Sequence, residues 1–227
     1  MKTTKFILPL VGLAAVPIPG QSQGFYNLNF ESAKIIPIVD NIYYPYAITS
    51  SNAMPGWIVT GYGYTDLVTS ITYNAPALGS SWVNLWATNG QQISGKYSVL
   101  LQGGIGTGAS ISQTATLPLS AYSILFEAQP GYGLLELSLG GQILPFSPVG
   151  NGSNYTLYGA NIPSAMYGQT EKLMFSAIGY NGGGGVNNWN IDNIQFSSSS
   201  VPEPGVWGLA GVGALAIGLR RRHRHCA

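Results

Sequence analysis

Cysteine and histidine are almost missing from this chain of 227 residues, and the few present, Cys226, His223 and His225, all lie in its last five positions. The stretch between the two ends therefore has no thiolate, no imidazole and no disulfide. Ser-His-Asp and Cys-His nucleophile systems are excluded there, as is a zinc site built on His and Cys, whereas carboxylate chemistry and oxygen-ligated calcium survive. Charge is scarce as well, at 7% of residues. Away from the ends, Lys34, Lys96 and Lys172 face Glu31, Asp40, Asp66, Glu127, Glu136, Glu171 and Asp192, a net charge of −4. Three scattered lysines do not make a phosphate-binding surface, so no nucleic-acid partner is expected. A convincing amphipathic helix is lacking too.

The ends differ from the middle. Met1 to Lys5 is a basic start, residues 6–18 are apolar, and Ser22, Gln23 and Gly24 supply small residues where a signal peptidase inspects the chain. Residues 1–24 are read as a secretory signal peptide; Pro9, Pro17 and Pro19 argue against a long buried helix instead. At the other end stand Pro202, Glu203 and Pro204, then the uncharged run 205–219, then Arg220, Arg221, Arg222 and Arg224. Arginines after an apolar run stay on the cytoplasmic side and leave the main body outside. The run has 15 residues. As a helix it reaches about 22 Å against a hydrocarbon core of about 30 Å, short for a permanent anchor.

This order resembles the PEP-CTERM sorting signal of exported proteins in Gram-negative, biofilm-forming bacteria. The resemblance implies an exosortase-type enzyme that cuts at or near the triplet, a short hydrophobic helix passing transiently through the inner membrane, and release to the outer surface or extracellular matrix. A simple membrane helix with basic anchors would need no processing enzyme. The parts are then a signal peptide (1–24), a body (25–196), a serine-rich spacer (197–201) that gives a processing enzyme slack, and the sorting signal (202–227).

Within the body, abundant Gly, Tyr, Ser, Thr and Asn suit short strands joined by tight turns. Alternation is clearest in 97–101, where Tyr97, Val99 and Leu101 share a face, and in 123–128, where Ile124, Phe126 and Ala128 do. Residues 134–146 read as a hairpin turning at Gly140 and Gly141, because a two-residue turn of this kind needs positive φ. Further strands are predicted near 57–60, 110–116, 155–158, 172–178 and 189–196. In the last, Trp189 and Ile191 have one parity and Ile194 and Phe196 the other, so a β-bulge is expected at Asp192 and Asn193. About ten strands without helical interruption imply an all-β fold of two antiparallel sheets packed as a sandwich.

The succession of Asn27 to Glu31, Pro55 to Val59, Gly95 to Leu101, Ile111 to Thr114, Tyr122 to Phe126, Tyr167 to Gln169 and Asn190 to Ile194 resembles the galactose-binding-like jelly roll shared by many carbohydrate-binding modules. By that resemblance Asn27 to Glu31 forms the first strand, and a structural calcium sits at the sandwich edge, held by Glu31 and Asp192. The ordinary alternative leaves Glu31 on the surface and gives Asp192 a turn to cap. A glycosidase would need two carboxyl groups about 5 Å apart, or about 6.5–9.5 Å for inversion. Glu127 and Glu136 are the plausible pair, but their parity makes them solvated glutamates, and no catalysis is expected. Sugar binding without catalysis uses aromatic faces; Tyr62, Tyr64, Trp82 and Trp86 are the candidates, with strand packing as the alternative for each. The expectation is an exported surface or matrix protein associating with extracellular polysaccharide, with a structural or adhesive surface domain as the alternative and a carbohydrate-active enzyme behind both.

Overall fold

The computed structural model describes residues 24–38, 47–61, 66–74, 82–87, 91–131, 133–179 and 187–202. Residues 1–23 of the signal-peptide segment, Glu203, Pro204 and the apolar run with its arginines lie outside these residues. Among the described residues, no helix is long and apolar enough to cross a membrane.

In chain order the elements are β1 (Ala47–Thr49), the single turn α1 (Ser50–Ala53), β2 (Ile58–Gly61), β3 (Asp66–Leu67), β4 (Ser70–Tyr73), β5 (Trp82–Ala87), β6 (Tyr97–Gly103) and β7 (Ala109–Thr116). There follow β8 (Ser123–Pro130), β9 (Leu135–Leu139), β10 (Gln142–Ile143), β11 (Ser147–Asn151), β12 (Thr156–Asn161), a 3-10 turn (Ser164–Met166), β13 (Thr170–Ala177) and β14 (Asn187–Ser197). One sheet has the order β1-β4-β5-β6-β14-β8-β12-β11, the other β10-β9-β13-β7-β2-β3. Pairing is antiparallel except between β4 and β5, which run parallel. The protein is an all-β, two-sheet sandwich, in which β6, β7, β8 and β9 pass alternately from sheet to sheet.

Alternation along the strands builds the core between the sheets. Val99 and Leu101 on β6, Ile124, Phe126 and Ala128 on β8, and Leu137, Leu173, Phe175 and Ile111 from the facing sheet are all buried in it. Phe126 is its centre, with ring centroids 5.1 Å from Phe175, 5.3 Å from Phe146 and 5.5 Å from Tyr158. The β9-β10 hairpin turns on Gly140 (φ 58°) and Gly141 (φ 81°), the two left-handed positions such a turn requires. The expected bulge is present. The β14 register shifts between Asp192 and Gln195, with Asn193 at φ 46°, so that Ile191 and Ile194 both face the core.

Two expectations change, and the candidate carboxylate pair is separated. Asn27 to Glu31 is a pair of turns rather than a strand, because Asn27 (φ 55°) and Phe30 (φ 57°) are left-handed and Asn27 uses its side chain locally, accepting from Ser32 N at 2.9 Å. The segment still joins the sandwich: Ile194 N donates to Leu28 O at 3.0 Å and Trp57 Nε1 to Asn27 O at 3.0 Å. Glu127 and Glu136 lie on different sheets, since β8 and β9 do not pair. Glu127 is buried rather than solvated, at 6% exposure.

Removing the ring at the centre of the core leaves a cavity that neighbours on both sheets cannot fill. Phe126→Ala is therefore expected to lower stability by about 3–5 kcal/mol in urea unfolding, and a loss below about 1 kcal/mol contradicts this packing.

Candidate functional site

The outer face of the eight-stranded sheet is where the chain concentrates its polar chemistry. Strand alternation carries Trp82, Asn84 and Trp86 out from β5, Ser98, Leu100 and Gln102 from β6, Asn188, Asn190 and Asp192 from β14, and Glu127 and Gln129 from β8. Asn84 pairs across with Leu100, Leu100 with Asn190, and Asn190 with Gln129, so these positions form one row. Asp192 stands directly opposite Glu127 in the next row.

The segment leading into β6 covers part of this face. Asn190 Nδ2 donates to Gln91 O at 2.8 Å, and Asn154 Nδ2 donates to Ile93 O at 3.1 Å. Ser94 donates twice to Asp192 Oδ2, from its amide at 3.0 Å and its hydroxyl at 2.9 Å. Glu31 Oε1 accepts the amides of Lys96 at 2.6 Å and Tyr97 at 3.1 Å. Gly95 lies between the two grips at φ 57°, where a Cβ would strike the Glu31 carboxyl and displace it from its two amides. The two carboxylates singled out in the sequence thus hold neighbouring residues of a single turn.

Asp192 is 1% exposed. Burial pushes its carboxyl up from 3.8 to about 7, with the charge of Glu127 adding to the rise, while the donors on Ser94 and the Asn193 amide pull the other way. Glu127 Oε1 accepts from Asn193 Nδ2 at 2.9 Å, and its Oε2 has no hydrogen-bond partner; neither has Asn190 Oδ1. The Glu127 charge also raises the Tyr155 phenol above its ordinary value. The face is consequently rich in buried acceptors and poor in positive charge.

Trp82 and Trp86 do share this face, Trp82 buried and Trp86 half-buried. Tyr62 and Tyr64 lie outside the described residues, as do Glu203, Pro204, Arg220, Arg221 and Arg222. Pro202 is exposed, and the residue before it is held by the body: Asn161 Nδ2 donates to Val201 O at 2.9 Å and Val201 N donates to Asn161 Oδ1 at 2.7 Å. Ser197 belongs to β14, and Ser123 Oγ donates to Ser199 O at 2.7 Å. The serine spacer is thus docked as far as Val201. The sequence reading missed Ser94, Asn190 and Asn193, although the alternation of Asn188, Asn190 and Asp192 already places three polar side chains on one face.

A carboxylate that folding moves from 3.8 to about 7 keeps its proton in the native state and releases it on unfolding across that window. In metal-free buffer its contribution to stability is present below pH 4 and is lost as pH rises through 7. The urea midpoint of wild type relative to Asp192→Asn is expected to fall between these pH values, and a pH-independent difference contradicts the buried, desolvated carboxylate.

No curated protein matches this chain. Among solved structures, the secreted serine protease VesC from Vibrio cholerae overlaps it at 12% identity with a TM-score of 0.33, over 53% of this chain and 25% of that one. The chain thus spans about a quarter of the protease's length. Residues 200–222 match the PEP-CTERM protein-sorting motif, which marks the chain as an exported protein, processed at the membrane by exosortase-type and signal-peptidase enzymes on its way to the cell surface or extracellular space.

Proposed function

We propose that the mature body is a jelly-roll module displayed outside a Gram-negative cell, where it associates with extracellular polysaccharide and does no catalysis. The jelly-roll reading is supported by strand order: β6-β14-β8-β12 in one sheet faces β7-β13-β9-β10 in the other, the interleaving that arises when a folded-over hairpin winds into two sheets. On this reading the apolar run 205–219 enters the inner membrane with the arginines on the cytoplasmic side, holding the body outside until the tail is cut. A non-catalytic role is supported by a body without His or Cys and by the placement of Glu127 and Glu136 on separate sheets.

The observation that carries the polysaccharide reading is the half-buried Trp86 on the same outer face as the half-buried Asn188, with Trp82, Asn84, Gln102 and Asn190 buried among them. Indole faces pack on the apolar faces of sugar rings while amides exchange hydrogen bonds with hydroxyls. One observation favours the structural alternative: Asn84 and Gln102 are both 0% exposed, so part of this face is already covered. Gel retardation of the purified body by extracellular polysaccharide separates the two. The binding reading expects retardation, weakened about tenfold or more by Trp86→Ala; a body that migrates unchanged in every neutral and acidic polysaccharide supports the structural role.

Calcium held by Glu31 and Asp192 is the second part of the proposal. The donors are all oxygen, as a hard cation prefers, and Asp192 is a buried carboxylate opposite Glu127; among the described residues no group of three or more Asp, Glu, His or Cys side chains gathers, so backbone carbonyls or water would have to complete the shell. A divalent ion there would supply the missing positive charge and tie the first segment to the last strand. The melting temperature is expected to drop on chelation in the wild type and to ignore chelator in Asp192→Ala; a chelator-insensitive wild type removes the metal from the account.

A further inference from the structure

Both ends of the described body leave the sandwich at one pole. Gly24 lies against Ala115 and Thr116, and the Phe25 ring is 5.0 Å from Phe196. Thr116 closes β7 opposite Thr170, and Leu117 N donates to Gln169 O at 2.9 Å. Ser197, where β14 ends, pairs with Ser123, which pairs in turn with Asn161. The connections 117–122 and 162–169 therefore share a pole with the exit point at Val201. The opposite pole carries Gly103 paired with Asn187, and the β9 start at Leu135 paired with Ala177.

The exit point is fixed. Asn161 binds Val201 through both its backbone polar groups, and Val201 is 8% exposed, packed close to Gly159. From the clamped Val201 to Gly205, where the apolar run begins, there are four Cα steps. At about 3.8 Å each they span no more than about 15 Å. Half the difference between the full bilayer and its hydrocarbon core is about 5–8 Å. A body clamped at Val201 is therefore held within about 10 Å of the outer edge of a bilayer that holds the next segment.

The surface of this pole suits that position. Leu119 is 78% exposed and Tyr122 39%, and Tyr122 packs on Tyr167 with ring centroids 5.2 Å apart. Connections 117–122 and 162–169 contain no charged residue, so little desolvation opposes contact with headgroups and upper acyl chains. Tyrosine, with an apolar ring and a polar tip, is at home in this layer.

We infer that this pole is a membrane-facing surface: while the tail is anchored, Leu119 and Tyr122 rest in the headgroup layer, and the opposite pole, with Ile105 and Leu134, points away from the lipid. Asn161 is the positioning residue, because its clamp on Val201 sets the length of the stem. The occupant is the bilayer that receives the tail. The inference rests on the anchored-tail reading proposed above.

The test uses the full chain with Cys226→Ser, which leaves no native thiol, and single cysteines replacing Leu119, Tyr122, Ile105 or Leu134, each carrying an environment-sensitive dye. Vesicles of phosphatidylethanolamine and phosphatidylglycerol containing shallow doxyl-labelled lipid report contact. The dyes at 119 and 122 are expected to be quenched roughly threefold more than those at 105 and 134, because only one pole lies within the interfacial layer. A flexible insert of about twelve Gly and Ser residues between Val201 and Pro202 is expected to shrink that difference by lengthening the stem. Equal quenching at both poles, or none at 119 in protein that floats with the vesicles, overturns the orientation alone. Protein that does not float overturns the anchored tail and the orientation with it. In unlabelled Leu119→Cys protein treated with a mild thiol oxidant, disulfide cross-linking of 119 to 119 between chains, together with no quenching of the labelled protein, assigns the pole to a second copy and overturns the lipid contact.

Discussion

The last strand holds this molecule together, and its bulge at Asp192 and Asn193 is the constraint on which the rest depends. Before the bulge, β14 lies between β6 and β8; after it, β8 remains, and the place beside Ile194 is taken by Leu28 from the first segment. The extra residue lets Trp189, Ile191 and Ile194 all reach the core. It also turns Asp192 toward Ser94 and Asn193 toward Glu127. The first described segment and the turn before β6 are thus held by one strand of 11 residues, which leads on to the exit that Asn161 clamps at Val201.

Scarcity of charge dictates how the connections are held. With almost no lysine or arginine to spare, backbone groups outside the ladders are satisfied by asparagine amides. Asn187 Nδ2 donates to Leu134 O and Ile178 O, both at 2.6 Å, Asn74 Oδ1 accepts from Ala87 N at 2.8 Å, and Asn161 brackets Val201. An amide offers donors and acceptors without the desolvation cost of an ion, which lets such bonds work at low exposure. The exception is the Asp192 and Glu127 pair, where two carboxylates meet across adjacent strands. There burial raises the Asp192 carboxyl to about 7, with the Glu127 charge adding to the rise.

Strands with clean alternation were legible in the sequence: β6, β8 and β14, its phase slip included, because a buried face imposes a period of two. The β9-β10 turn was legible because only glycine accepts two successive left-handed positions cheaply. Less visible were β1, β3, β4 and β11, which are 2–5 residues long and whose pairing comes from neighbours distant in sequence. β5 alternates clearly, yet its tryptophans suggested a ligand surface before a strand. The Asn27 to Glu31 turns were hidden because left-handed asparagine and phenylalanine leave no compositional mark. For the site, Glu31 and Asp192 came forward only through the jelly-roll resemblance, and their convergence on residues 94–97 is tertiary. The docking of the serine spacer was equally invisible, since Asn161 lies 40 residues from Val201.

Hydrogen exchange at individual amides tests the role of the last strand most directly. The amides of Ser94, Asn193, Ile194 and Val201 each donate to a partner distant in sequence or to the bulge carboxylate. If the strand and what it grips unfold as one unit, all four exchange only through global opening, at rates that track the core amides of β8 as urea is raised. Exchange at Ser94 and Val201 that is orders of magnitude faster than in β8 and indifferent to urea would contradict the account.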